Sequence, residues 1–458
     1  MENVLHSEKL MHPSLSEISR RKFIRSAAGA SALAMSGGGL LMGEDGKGNK
    51  ESNDDKESKI RGDFSKVEHI VVVMMENRSF DHFLGWLPWA DGRQAGLSYR
   101  DAAGAAHPTY PLAPDYQGCG HPDPDHSHEG GLVEYNKGAC DGWLRAGTND
   151  VYSIGYYQQS DLAFLGQAAP AWTTCDNYFA ATLAETYPNR IYQHAAQTDR
   201  LVNTVDLCTL PTIWDRLAEK GVEGRYYYTD VPFLALWGAK YLPISHLIGQ
   251  FFADCAAGTL PSVSFVDPGF YGESEGLSND DHPHADIRNG EVFLNAVYDA
   301  VTASPNWRNT VMVMNFDEWG GFFDHVAPTA APIPPADRAA GNTDGLRGFR
   351  VPALVISPWA ARRSIAHGLY DHTSVLKMIE SRWNLGSLTV RDATAKNLAE
   401  ALDFRHAANL TVPRFAVPGG PFGGACPAAV TQRLAGASVP NPWEQLGAIS
   451  RDLGFPGI

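Results

Sequence analysis

Two pairs of oxygen-bearing side chains, Glu76-Asn77 and Asp317-Glu318, stand far apart in the chain, each directly after an apolar run. Carboxylate and amide oxygens are hard donors suited to a divalent cation such as Ca²⁺, Mg²⁺ or Mn²⁺. Three carboxylates gathered at one point repel one another unless a cation lies between them. Taken singly, each residue reads as a loop residue or helix cap. Taken together, the two pairs read as a metal site. A reaction there needs a nucleophile, and Thr186 in the segment Thr186-Tyr187-Pro188-Asn189-Arg190 offers a hydroxyl. That hydroxyl is weak at neutral pH and needs a metal or a base to activate it. Pro188 suits the first turn of a helix continued over 189–197, so Thr186 is expected just before a helix N-terminus, where free N–H groups favour phosphate. Its other reading is a helix cap. Histidines cluster in GHPDPDHSHEG (His121, His126, His128) and NDDHPHAD (His282, His284). An imidazole can bind a cation, donate to a phosphoryl oxygen or protonate a leaving group. His325 and His372 read as supporting or structural residues.

These residues need elements to position them. The runs at 67–75 (VEHIVVVMM), 310–316 (TVMVMNF) and 351–356 (VPALVI) read as strands buried on both faces, with weaker candidates at 225–228 and 262–266. Helical patterns lie between them, at 212–221 behind Thr212, around Glu291 to Val301, and at 373–383. The alternation predicts an α/β fold with a mainly parallel central sheet. Ligands of such sheets bind beyond the carboxyl ends of the strands. Both acidic pairs follow strands directly, so both are expected on that edge. The stretches 90–159 and 324–348 lack periodicity and read as long irregular insertions or lids.

The chain has 458 residues, enough for one large domain or two ordinary ones, and 44% are apolar. Its formal net charge of -15 disfavours nucleic-acid binding and docking on anionic membranes, though not a lipid substrate. Ser19-Arg20-Arg21-Lys22-Phe23-Ile24-Arg25 precedes a small-residue apolar run ending at Met42. Residues 1–42 therefore read as a twin-arginine export signal, which predicts the twin-arginine export machinery as a partner and a periplasmic or secreted location. Residues 43–63 are polar and charged and read as a disordered tether, with a single domain over 64–458. No later stretch reaches membrane-spanning length. Six scattered cysteines allow up to three disulfides in an oxidising compartment, with the pairing open. After about residue 410 the chain reads as a Pro/Gly-rich tail.

The segments HIVVVMMENRSFDHFLG, DPDHSH, TYPNR, DDHPHADI, FDEWGGFFDHVAP, RVPALVISPWA and YDHTSVLKMIE occur in that order across nearly the whole folded chain. In sequence and spacing they resemble the bacterial phosphoesterase family of phosphatidylcholine-type phospholipases C and related acid phosphatases. The resemblance implies an alkaline-phosphatase-like α/β/α sandwich. It implies metal ligation by Glu76, Asn77, Asp317 and Glu318, with the ion open among Ca, Mg, Mn, Zn and Fe. Thr186 would be the nucleophile, and His126 and His282 would contact the phosphoryl group. The implied activity is phospholipid hydrolysis through a phosphothreonine intermediate. An acid phosphatase acting on small phosphomonoesters is the alternative, and a noncatalytic secreted binding protein that retains the metal site is the alternative of another class. Trp86, Trp89, Tyr152, Tyr156 and Tyr157 are the aromatics available for a choline cage.

Overall fold

A computed structural model describes residues 60–427 and 441–457. The expected export signal and residues 43–59 of the expected tether lie outside the described residues. Residues 60–63 belong to the folded body: Ile60 packs against the main core and Arg61 forms a bridge with Asp403. The folded body thus includes residues before Phe64, inside the segment read as a tether. Its few apolar residues hid the anchoring of Ile60.

The central sheet has eight strands. In chain order they are β1 (His69–Met75), β2 (Thr173–Cys175), β3 (Gly224–Tyr228), β4 (Ser245–Leu247), β5 (Val263–Asp267), β6 (Thr310–Phe316), β7 (Ala353–Ile356) and β8 (Ser364–Ala366). Across the sheet the order is β8-β2-β7-β6-β1-β5-β3-β4. β1 pairs in parallel with both β5 and β6, at the centre. β7 runs antiparallel to both of its neighbours, β6 and β2, and the remaining pairings are parallel. Successive strand side chains point to opposite faces. Every residue of β1 from Ile70 to Met75 and every residue of β6 is buried, so both faces of the sheet centre are covered. Those continuous apolar runs are what such a position demands. The expected α/β class and mainly parallel sheet are present.

Among the helices are α1 (Thr186–Ala195), α2 (Ile213–Glu219), α3 (Ile248–Ala257), α4 (Ile287–Ala303), α5 (His372–Trp383) and α6 (Pro442–Leu453). α2 starts where its cap predicts, with Thr212 and Asp215 in a reciprocal capping box. α6 corrects the reading of the C-terminal region as Pro/Gly-rich tail alone. Asn441 caps it and Pro442 sits in its first turn, a position that tolerates the missing N–H. Its Trp443 is buried and stacks on Phe270 at 3.8 Å with parallel rings.

The insertion between β1 and β2 is packed rather than loose. Its Tyr99, Trp143, Ile154 and Tyr156 form a second apolar cluster with Trp319, Phe323 and Phe349 from the stretch between β6 and β7. A disulfide joins Cys119 in this insertion to Cys426, 307 residues away. Cys140, Cys175, Cys208 and Cys255 are free and buried, so among the described residues one bridge forms where the sequence allowed three. No helix among the described residues is long and apolar enough to cross a membrane.

Candidate active site

The carboxyl ends of β1 and β6 lie side by side because the strands are parallel and in register, with Met75 opposite Phe316. The Asp317 N–H continues the ladder by donating to Met75 O at 3.1 Å, and Arg78 N–H returns to Glu318 O at 3.1 Å. Asn77 turns the chain here with a φ of 59°, a left-handed conformation that Asn tolerates better than most residues. Its N–H donates to Asp317 Oδ1 at 3.1 Å. Gly320, at φ 64°, makes this approach feasible: a Cβ there would meet Asn77 O at 2.1 Å. The Gly-Gly after the acidic pair is therefore a steric requirement of the site.

α1 brings in the hydroxyl. Glu185, rather than Thr186, is the N-cap, and Thr186 is the first helical residue. The Thr186 hydroxyl donates to Asn77 Oδ1 at 3.3 Å and does not cap the helix. The helix N-terminus offers phosphate less than expected. The Tyr187 N–H is held by Asn203 Oδ1 at 2.7 Å, and Pro188 has no N–H. One turn on, the buried Arg190 donates to Asp317 Oδ2 and Asp267 Oδ1, both at 3.1 Å, and to the carbonyls of Met74 and Met75. Its Nε also lies 3.4 Å from Glu76 Oε1. Burial disfavours its charge, but Asp267, Asp317 and Glu76 together hold it protonated.

The two expected histidines converge. The ring centroids of His126 and His282 are 5.8 Å apart. Each Nδ1 donates at 2.8 Å to a backbone carbonyl, that of Pro124 and Pro283 respectively, which leaves both Nε2 atoms facing the site. His126 Nε2 lies 3.3 Å from Asn77 Nδ2. His282 Nε2 lies 3.2 Å from Glu273 Oε1 and 3.8 Å from Asp123 Oδ2. Burial alone would lower the His126 pKa, but the charges of Glu318 and Asp123 outweigh it and raise it to about 10. Burial lowers that of His282 to about 4, with Asp123 opposing. The two imidazoles are thus pushed to opposite protonation states.

Asn77 therefore sits in contact with Thr186, His126 and Asp317, three of the residues singled out by sequence. Glu76 is fully buried beside them, and neither of its oxygens has a hydrogen-bond partner. Glu318 Oε2 accepts from Gly320 N–H at 2.7 Å, while Oε1 is buried and unpartnered. Asp317 is the most engaged of the four expected ligands, holding two backbone N–H groups on Oδ1 and Arg190 on Oδ2. Burial pushes the carboxyls of Glu76 and Glu318 well above the usual range and that of Asp317 up to about 6. Buried carboxylates with unpartnered oxygens fit the hard-donor set of a divalent cation.

Other candidates lie elsewhere. His121 pairs with Asp150, His128 Nδ1 donates to Leu183 O and His284 meets His121 O. His325 belongs to a buried network with Asp81, Asp324 and Arg350. His372 Nε2 donates to Asp317 O at 2.7 Å and so braces the acidic loop from behind. The five aromatics considered for a choline cage do not converge. Tyr152, Tyr156 and Tyr157 are core residues, while Trp89 is 82% exposed. Sequence reasoning gave no role to Arg190, Asp123, Glu273 or Asp280. The spacing of Arg190 from Thr186 on one helix was a usable signal. Glu273, in an irregular turn, carried none.

The chain matches the model of the Phosphoesterase family over residues 67–386. It is 30% identical over 429 residues to phospholipase C A of Mycobacterium tuberculosis, covering 78% of this chain and 81% of that protein. It is likewise 30% identical over 390 residues to non-specific phospholipase C1 of Arabidopsis thaliana, covering 75% and 72%. Among solved structures it is similar to a protein in the alkaline phosphatase superfamily from Vibrio parahaemolyticus, with TM-score 0.36, 10% identity and coverage of 74% and 70%. It is also similar to the lipoteichoic acid synthase LtaP from Listeria monocytogenes, with TM-score 0.39, 7% identity and coverage of 84% and 91%.

Proposed function

Because this chain belongs to the phosphoesterase family and is a phosphoric ester hydrolase, we propose that it is a metal-dependent phospholipase C-type phosphodiesterase using Thr186 as its nucleophile. Family membership replaces the reading as a noncatalytic binding protein. The single observation that carries the proposal is the contact of the Thr186 hydroxyl with Asn77, beside oxygens of Glu76 and Glu318 that are buried without a hydrogen-bond partner. The lipid substrate is inferred from the phospholipase relatives.

Glu76, Asn77, Asp317 and Glu318 would hold the divalent cation. When bound, the cation neutralises phosphoryl charge and lowers the pKa of the nearby hydroxyl. Asn77 holds the Thr186 oxygen in place. That oxygen gives its proton to solvent water and attacks phosphorus, the bond to the diacylglycerol oxygen breaks, and the head-group phosphoryl stays on Thr186. His126, held towards its charged form, supplies the proton to the departing alcohol. His282, held neutral, accepts a proton from the water that then attacks phosphorus. The Thr186–phosphorus bond breaks, His282 passes its proton to the Thr186 oxygen, and His126 takes one back from water. Opposed pKa values in one site mark such an acid and base pair. Positioning and charge stabilisation do most of the work. Export through the twin-arginine pathway to the periplasm or beyond accompanies this reading, since that is where the substrate's exposed leaflet lies.

The scatter of the five aromatic candidates favours a second reading, an acid phosphatase acting on monoesters with the same residues. Hydrolysis of a chromogenic phosphocholine diester and of a simple phosphomonoester, each with and without chelator, separates the two. Diester turnover that chelator abolishes and added cation restores is the expected result. Preference for the monoester identifies the phosphatase, and turnover insensitive to chelator overturns the metal-dependent mechanism.

A further inference from the structure

A carboxylate group extends from one expected ligand, Glu76, to two residues that the mechanism does not use. Glu76, Glu273 and Asp280 each present one oxygen, all within 4.8 Å of one another. They come from three places: the residue after β1, the short turn Glu273–Glu275, and the loop just before His282. Glu76 and Asp280 are fully buried, and the Glu273 side chain is 13% exposed. The loop is tied to the strand end by a hydrogen bond from Glu76 N–H to Asp280 O at 2.8 Å.

The oxygens of this group are largely unanswered. Both oxygens of Glu76, Oε2 of Glu273 and Oδ2 of Asp280 are buried without a hydrogen-bond partner. The nearby guanidinium answers only one of them, as an ion pair from Arg190 Nε to Glu76 Oε1 at 3.4 Å, because its hydrogen bonds go to Asp317, Asp267, Met74 O and Met75 O. A second, separate group points the same way. The Tyr187 hydroxyl is buried with no partner, and Glu273 and Glu76 are the charged groups that act on it most strongly. A buried polar oxygen left unpartnered is costly, and several carboxylates facing one another more so. An all-oxygen donor set at this spacing selects a hard ion over a soft one.

We propose that Glu76, Glu273 and Asp280 form a cation site for a hard divalent ion such as Ca²⁺, on the side of the centre that faces His282. The assignment of a consequence to this ion rests on the catalytic reading above, while the binding itself rests on the carboxylates. The remaining oxygens of the group reach His282 directly. Glu273 Oε1 lies 3.2 Å from its Nε2, and Asp280 Oδ1 accepts from its backbone N–H at 2.9 Å. Ligation of Glu273 and Asp280 therefore fixes the loop and ring of His282, as outer partners fix a reactive imidazole. Glu273 and Asp280 act as positioning residues.

The test uses the full chain, stripped with chelator and titrated calorimetrically with Ca²⁺, with melting temperatures recorded in chelator and in Ca²⁺. Glu273→Gln and Asp280→Asn should each weaken Ca²⁺ binding by at least about tenfold. In chelator both variants should melt higher than the parent chain, because one of the facing charges is gone, and in Ca²⁺ the order should reverse. Unchanged affinity in both variants, or lower melting in both media, overturns the site. Thr186→Ala separates this from the catalytic reading, since it should lose turnover and keep Ca²⁺ affinity. If Thr186→Ala stays active while the carboxylate variants lose Ca²⁺, the nucleophile assignment fails and the cation site stands.

Discussion

The hydroxyl of Thr186 donates to Oδ1 of Asn77 across 3.3 Å, although 109 residues separate them in the chain. One lies in the first turn of α1 and the other just past β1, so the contact joins a helix N-terminus to the sheet edge. Asn77→Ala removes this acceptor and one expected ligand. We expect kcat to fall by about 10²–10³, the scale for loss of one preorganised polar group. Ala is also strained at this φ, so Asn77→Gly, which fits the backbone, should lose as much activity while unfolding later on heating. Steady-state kinetics with paired melting curves check both statements.

Arg190 is the counter-ion of the site. Arg190→Met leaves Asp267 and Asp317 buried without their cation, and removes a guanidinium lying 4.7 Å over the Phe270 ring. Breaking a buried ion pair from one side costs about 3–5 kcal/mol. Urea unfolding in chelator should show a loss of that order, and divalent cation should restore part of it by neutralising the same carboxylates.

A pH effect follows from His194, buried among Trp214, Phe233, Trp237 and Phe265. Burial lowers its pKa from 6.5 to about 3, with the charge of Arg190 adding to this. The folded state therefore resists protonation while the unfolded chain accepts a proton. Stability should be full above about pH 6.5 and decline as pH falls through that value towards about 3. His194→Phe removes the proton acceptor, so the slope of unfolding free energy against pH across this window should drop by about one proton. An unchanged slope would contradict the assignment.

The strands that carry the site were legible because their burial on both faces writes continuous apolar runs, as in residues 70–75 and 310–316. β2, β4 and β8 were not, since three residues show no periodicity and their pairing depends on the rest of the sheet. At the site, Glu76, Asn77 and the acidic pair announced themselves by following strands directly. His126 and His282 could be chosen from their neighbours only through the family resemblance. What separates them physically is where Nε2 lies: 3.3 Å from Asn77 Nδ2 for His126 and 3.2 Å from Glu273 Oε1 for His282. Glu273 and α6 were missed for opposite reasons. The first lies in an irregular turn, and the second hides its helix behind a proline that marks its start.

The central claim is that the Thr186 oxygen becomes bonded to phosphorus during turnover. The direct measurement is rapid acid quench of the enzyme with a phosphocholine diester, followed by mass spectrometry of the peptide that contains Thr186. The account predicts a head-group phosphoryl adduct on Thr186, absent from Thr186→Ala and absent in chelator. Full turnover by Thr186→Ala, or an adduct on a different side chain, would contradict it.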